Sequence, residues 1–147
     1  MKGKHLFLGA TGEEAAVRYL KGLGWRILDR NWRPKGARQG LELDIVAGNG
    51  EELVFVEVKT RSFEQGGPAG GGSGIPAHAA FTAQKQQRFV RAARQYLAAE
   101  KLWSRPCRFD LICIQQAPDG RMELEHHDNV IEIGHIVDSG NAAWQPW

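Results

Sequence analysis

The chain has 147 residues, 42% of them hydrophobic and 24% charged, with a formal net charge of +2. Such a length suits one domain with a real core, and the composition is ordinary for a soluble protein. The charge, with a pI near 8.7, permits an anionic partner without demanding one. No apolar run approaches the ~18 residues needed to span a bilayer, and the opening MKGKHLFLGATGEE is too short in apolar residues for a secretory signal. A cytoplasmic protein without a membrane partner is expected.

In chain order, Thr11 followed by EEAAVRYLKGLG reads as a helix, with a capping threonine, acids in its first turn and glycine at its end. Ala16, Val17, Leu20 and Leu23 form its apolar stripe. Glu13 falls on that stripe, whereas Glu14 falls on the outer face above Arg18 and Lys21. An acid at the head of a buried stripe either caps the helix or reaches into a site. Trp25 to Trp32 reads as a first strand, with Trp25, Ile27 and, by alternation, Asp29 on one face and Arg26, Leu28 and Arg30 on the other. Arg33 to Gly40, RPKGARQG, is a basic, turn-rich connection.

Leu41 to Ala47 and Leu53 to Lys59 are apolar or alternating runs flanking Asn49-Gly50, a strong signal for a two-residue hairpin turn. With those two residues as the loop, Glu42 faces Glu57, Asp44 faces Phe55, and Glu42, Asp44, Glu57 and Lys59 share one face. Leu43, Ile45, Val54, Val56 and Val58 take the other. Two carboxylates ~5 Å apart repel by roughly 3 kcal/mol at an effective dielectric of ~20, a cost that a hard divalent cation offsets. A surface ion-pair ladder is the alternative reading of the same residues.

Phe63 to Ala77, FEQGGPAGGGSGIPA, reads as a flexible loop bordering Lys59 and Arg61, either a substrate-gating segment or a tolerated insertion. Ala83 to Trp103 reads as a long second helix with Phe89, Ala93, Tyr96 and Leu97 on its apolar face. Lys85, Arg88, Arg91, Arg94 and Lys101 cover a broad basic flank, a solvated face compatible with phosphate contact, and Lys85 is the best placed for a ligand. Cys107 to Ile114 and Met122 to His126 read as strands around a Pro118-Asp119-Gly120 turn. The two cysteines read as reduced, half-buried thiols, and His126, His127 and His135 as ordinary histidines. The tail 138–147 is uninformative apart from two tryptophans.

An acid followed after twelve residues by E-x-K, in the order helix, strand, hairpin, helix, strand, resembles the core of PD-(D/E)xK nucleases. More closely, the chain resembles the YraN family of small bacterial proteins, itself similar to archaeal Holliday-junction resolvases. The residues carrying this are Gly12-Glu13, Arg18 to Leu20, Arg26 to Arg33, Glu42 to Val46, Val54 to Arg61, Lys85 and Arg108 to Asp110. The resemblance spans about Gly9 to Asp110, roughly two thirds of the chain. It departs in having Leu41 where the family usually has glycine, and in a longer glycine-rich loop from Gly66 to Gly74.

The resemblance implies an α/β fold, a restriction-endonuclease-like single domain over 1–147 with its core at about 9–133 and a central mixed sheet flanked by helices in an αβββαβ order. It implies that Asp44 and Glu57 hold magnesium or manganese, that Lys59 is the catalytic lysine, that Glu13 adds an acid, and that Glu42 is an additional acid beside the metal. The expected activity is metal-dependent hydrolysis of phosphodiester bonds in DNA, or RNA, with preference for branched or flapped structures. Arg38, Arg61, Lys85 and Arg88 would meet neighbouring phosphates. Kinship with resolvases implies a homodimer. The alternatives are a non-catalytic nucleic-acid-binding or assembly module and a metal enzyme with another substrate.

Overall fold

The computed structural model describes residues 5–8, 11–36, 40–62 and 81–131. Its elements are β1 (His5–Leu8), α1 (Gly12–Gly22), β2 (Arg26–Trp32), β3 (Leu43–Gly48), β4 (Leu53–Ser62), α2 (Ala83–Glu100), β5 (Cys107–Gln116) and β6 (Arg121–His127). The strands make one mixed sheet in the order β1-β6-β5-β4-β3-β2, in which β4 and β5 are parallel and the other pairs antiparallel. A parallel pair needs a crossover, and α2 lies on it. The architecture is thus the expected α/β one, a mixed sheet flanked by helices. The strand β1, unread in the sequence, adds an outer member beside β6.

The sheet carries a helix on each face. Ala16, Val17 and Leu20 of α1 pack with Ile45, Val54, Val56 and Ile112, whereas Phe89, Ala93, Tyr96 and Leu97 of α2 pack with Val46, Phe55, Phe109 and Leu111. Neighbouring residues of one strand alternate between the two clusters, as the pleat requires. Helix α1 begins where Thr11 Oγ1 accepts the Glu14 N–H at 3.2 Å and ends before Gly24, at φ +88°. A Cβ on Gly12 would fall onto Thr60 Oγ1, so glycine is what lets the helix start this close to β4. Leu23, expected in the apolar stripe, is instead 38% exposed at the helix end. Helix α2 stops at Glu100, short of the expected Trp103, because Lys101 turns left-handed at φ 57° and its N–H folds back to Leu97 and Ala98.

Two registers differ from expectation. The β3–β4 loop has four residues, since Asn49 Oδ1 accepts from Glu51 N and Glu52 N at 2.9 and 2.7 Å, and β3 pairs as Ile45↔Val56 and Gly48↔Leu53. This shift by two residues preserves the faces and puts Val46, in place of Asp44, opposite Phe55. Leu43 nevertheless leaves the face of Ile45 and joins the α2 cluster. It is the first strand residue and pairs with β2 alone. In β2, a bulge at Leu28 separates Ile27, packed on the α1 side, from Asp29, whose carboxylate accepts the Tyr96 hydroxyl of α2 at 2.8 Å. Asp29 therefore faces opposite to Ile27, against simple alternation.

No helix among the described residues is long and apolar enough to cross a membrane. Arg38, the glycine-rich segment 63–77, His135 and the tail 138–147 lie outside the described residues.

Candidate functional site

Beyond the Ile45–Val56 pair the hairpin ladder gives way to a side chain. The Val58 N–H donates to Asp44 Oδ2 at 2.9 Å, so a carboxylate accepts a proton that a ladder carbonyl would otherwise take. Asp44 and Glu57 come close enough there for the charge of Glu57 to act on the Asp44 carboxyl. Lys59, two residues along β4, places Nζ 3.2 Å from Glu57 Oε2. Sequence order alone thus delivers an acid, a second acid and an ammonium to one end of a diverging strand pair.

These three side chains line a cavity of about 360 Å³ together with Gly40, Leu41, Glu42, Lys85, Arg88 and Phe89. Helix α2 contributes Lys85 from its first turn and Arg88 one turn later, after Thr82 Oγ1 caps the Lys85 N–H at 3.2 Å. A lysine in the first turn works against the helix dipole, and no acid there offsets it. Gly40, at φ +63°, presents its carbonyl toward Arg88 Nη2 at 3.5 Å.

The charge on the acidic wall is frustrated. The Asp44 carboxyl is pushed up to about 7, first by burial and then by the charge of Glu57, with the Glu57 hydrogen bond and the Glu42 charge adding to them against the Val58 N–H. A carboxyl whose charge is disfavoured in this way would gain from a cation in place of its proton, and an all-oxygen donor set would suit a hard divalent ion such as magnesium or manganese. Asp44 and Glu57 fit that role directly. Glu42, the third acid of the wall, is engaged elsewhere: Arg33 Nε and Nη2 both donate to its Oε2, at 3.2 and 3.0 Å. Among the described residues no group of three or more His, Cys, Asp or Glu side chains is arranged to hold a metal ion.

The other residues singled out in the sequence are distributed as follows. Glu13 does not line the cavity; its Oε1 accepts from Arg30 Nε at 3.2 Å and Asn31 Nδ2 at 2.9 Å. Glu14, expected on the outer face, also reaches Arg30, at 2.8 Å, so the two glutamates share one partner and do not differ in kind. Arg61 is half-buried on β4 and outside the lining. Both cysteines are free and half-buried, and burial pushes their thiols up to about 11, against thiolate formation.

Sequence reasoning missed two features. Arg33 was read as part of a basic connection and as the end of a motif strand, and no spacing rule links it to Glu42. The other is a buried polar network on the α1 side: fully buried Asp110 accepts both Arg108 Nε and Nη2 at 2.9 Å, His126 Nε2 lies 2.7 Å from Asp110 Oδ2, and Tyr19 Oη lies 2.8 Å from His126 Nδ1. The Arg108-Asp110 spacing, which puts both on one face, was the legible signal.

The model of the uncharacterised protein family UPF0102 matches residues 12–114. A UPF0102 protein of Oleidesulfovibrio alaskensis is 47% identical, the match covering 97% of this chain and 94% of the relative. One from Nitratidesulfovibrio vulgaris is 42% identical over 95% of this chain and 94% of its own length. One from Symbiobacterium thermophilum is 43% identical over 78% and 87%.

Proposed function

The chain belongs to the uncharacterised protein family UPF0102, and on that footing we propose that it is a divalent-metal-dependent nuclease hydrolysing phosphodiester bonds, in DNA rather than RNA. What carries the reading is the convergence of Asp44, Glu57 and Lys59 in one cavity whose lining also includes Lys85 and Arg88. It is further supported by the element order and acid spacing that resemble PD-(D/E)xK nucleases and archaeal resolvases, the latter favouring branched or flapped DNA and a homodimer.

In this reading Asp44 and Glu57 hold magnesium or manganese. The bound ion would supply Lewis-acid polarisation at phosphorus and a water more acidic than bulk water. Lys59, tethered by Glu57, donates to the charge that develops on the phosphoryl oxygens. Lys85 and Arg88 bind the flanking phosphates, which positions the strand without reading its bases. Apolar Leu41 and Phe89 contribute surfaces of low polarity to the lining, strengthening each of these charge contacts.

Lys59→Ala separates binding from chemistry. Cleavage in manganese is expected to fall about 100-fold or more, the scale for removal of one preorganised donor. Thermal stabilisation by manganese should persist, because both carboxylates remain. A variant cleaving at the wild-type rate removes Lys59 from the mechanism.

A further inference from the structure

Of the three carboxylates on the cavity wall, Glu42 alone is held by a guanidinium. Arg33 chelates a single oxygen, Oε2, with two nitrogens. The arginine side chain is 72% exposed and that of Glu42 30% exposed. Glu42 precedes the first residue of β3, so no strand ladder fixes its backbone. Its charge still reaches Asp44 and helps raise that carboxyl. The acid therefore sits within the field of the pair while its oxygen is taken by a solvent-facing cation.

Building on the nuclease reading above, we propose that Arg33 is a positioning residue that competes with the divalent ion for Glu42. With the Asp44–Glu57 site loaded, Glu42 leaves Arg33 and turns to the ion as a third oxygen partner, directly or through one of the waters a hard cation retains. In the metal-free protein Arg33 neutralises Glu42 and lowers the repulsion along the acidic wall, which stabilises the unloaded state at the expense of affinity. An exposed ion pair is weak enough to be exchanged in this way, and its loss is felt as a modest factor. Glu42 thereby acquires a role distinct from those of Asp44 and Glu57: it tunes how tightly the ion binds.

The test is a manganese titration of the intact protein, read by calorimetry and by the electron paramagnetic resonance of free manganese, with no nucleic acid present. Arg33→Ala is expected to tighten manganese binding about fivefold, the factor that an exposed ion pair commands. Glu42→Gln should weaken it, and Arg33→Ala added to Glu42→Gln should change nothing further. Unchanged or weaker binding in Arg33→Ala, with Asp44→Asn abolishing binding, overturns the competition and leaves the metal site standing. An equal gain from Arg33→Ala in the Glu42→Gln background also overturns it, since the effect would then be general charge. If Asp44→Asn binds manganese as the wild type does, or the wild type binds none, the nuclease reading fails and this inference with it.

Discussion

Asp44→Asn should make the metal-free protein more stable above neutral pH while sharply slowing its cleavage of nucleic acid. Burial, Glu57 and Glu42 raise the Asp44 carboxyl to about 7, well above its value in the unfolded chain. A group raised by folding contributes stability below its unfolded value and loses that contribution as pH climbs through the folded one. The metal-free wild type should therefore weaken between about pH 4 and about pH 7, by about 2 kcal/mol once solvent screening at the cavity is allowed for. Asparagine carries no charge, so the variant should lack this fall over that window. Its cleavage should drop roughly 1,000-fold, since a neutral amide is a poor partner for a hard cation. Urea titrations across pH check the first effect, and single-turnover cleavage the second. A variant that loses stability above pH 7 contradicts the charge assignment.

Asp110→Asn should be the most destabilising isosteric change in the protein, costing about 3–5 kcal/mol out of the ~5–15 kcal/mol available to a domain of this kind. Asp110 is fully buried and accepts from Arg108 twice, from His126 and from the Asn129 N–H at 3.0 Å. Asparagine keeps the shape but turns an NH2 toward donors, leaving the Arg108 guanidinium without its buried counter-charge. Arg108 keeps Glu52 at 3.4 Å and the Trp25 ring at 5.4 Å, neither of which replaces a fork of two charged bonds. Burial acts to raise the Asp110 carboxyl, but the bonds from His126, Arg108 and Asn129 outweigh it and hold it below its usual range. Its contribution is accordingly present above the unfolded value and is lost in acid as pH falls through the lowered one. Denaturant midpoints at neutral pH measure the effect; a loss under about 1 kcal/mol contradicts the account of the network.

The candidate site was legible because it depends on parity. A two-residue error in the hairpin register left Glu42, Asp44, Glu57 and Lys59 on their expected face, since side chains repeat every second residue. Lys85 and Arg88 were legible because the helical period of α2 is strong. Where backbone irregularity intervenes the pattern fails. The bulge at Leu28 reversed Asp29, and the end of the β3–β4 ladder reversed Leu43. Partners distant in sequence were invisible for a different reason. Tyr19, Asp110 and His126 come from α1, β5 and β6, and no local period announces a hydrogen bond across 107 residues. Glu13 was read from helix periodicity and from the resemblance, neither of which could reveal that Arg30 and Asn31 of β2 hold it.

The most direct test is cleavage by purified wild-type protein of single-stranded, duplex, flap and four-way-junction DNA and RNA in manganese or magnesium, beside Glu57→Gln prepared identically. Strand scission by the wild type on DNA, absent in Glu57→Gln and in EDTA, is the predicted result. Nucleic acid bound equally well with and without EDTA, and left intact on every substrate, would contradict it and make the chain a binding module that keeps a nuclease-like site without its chemistry.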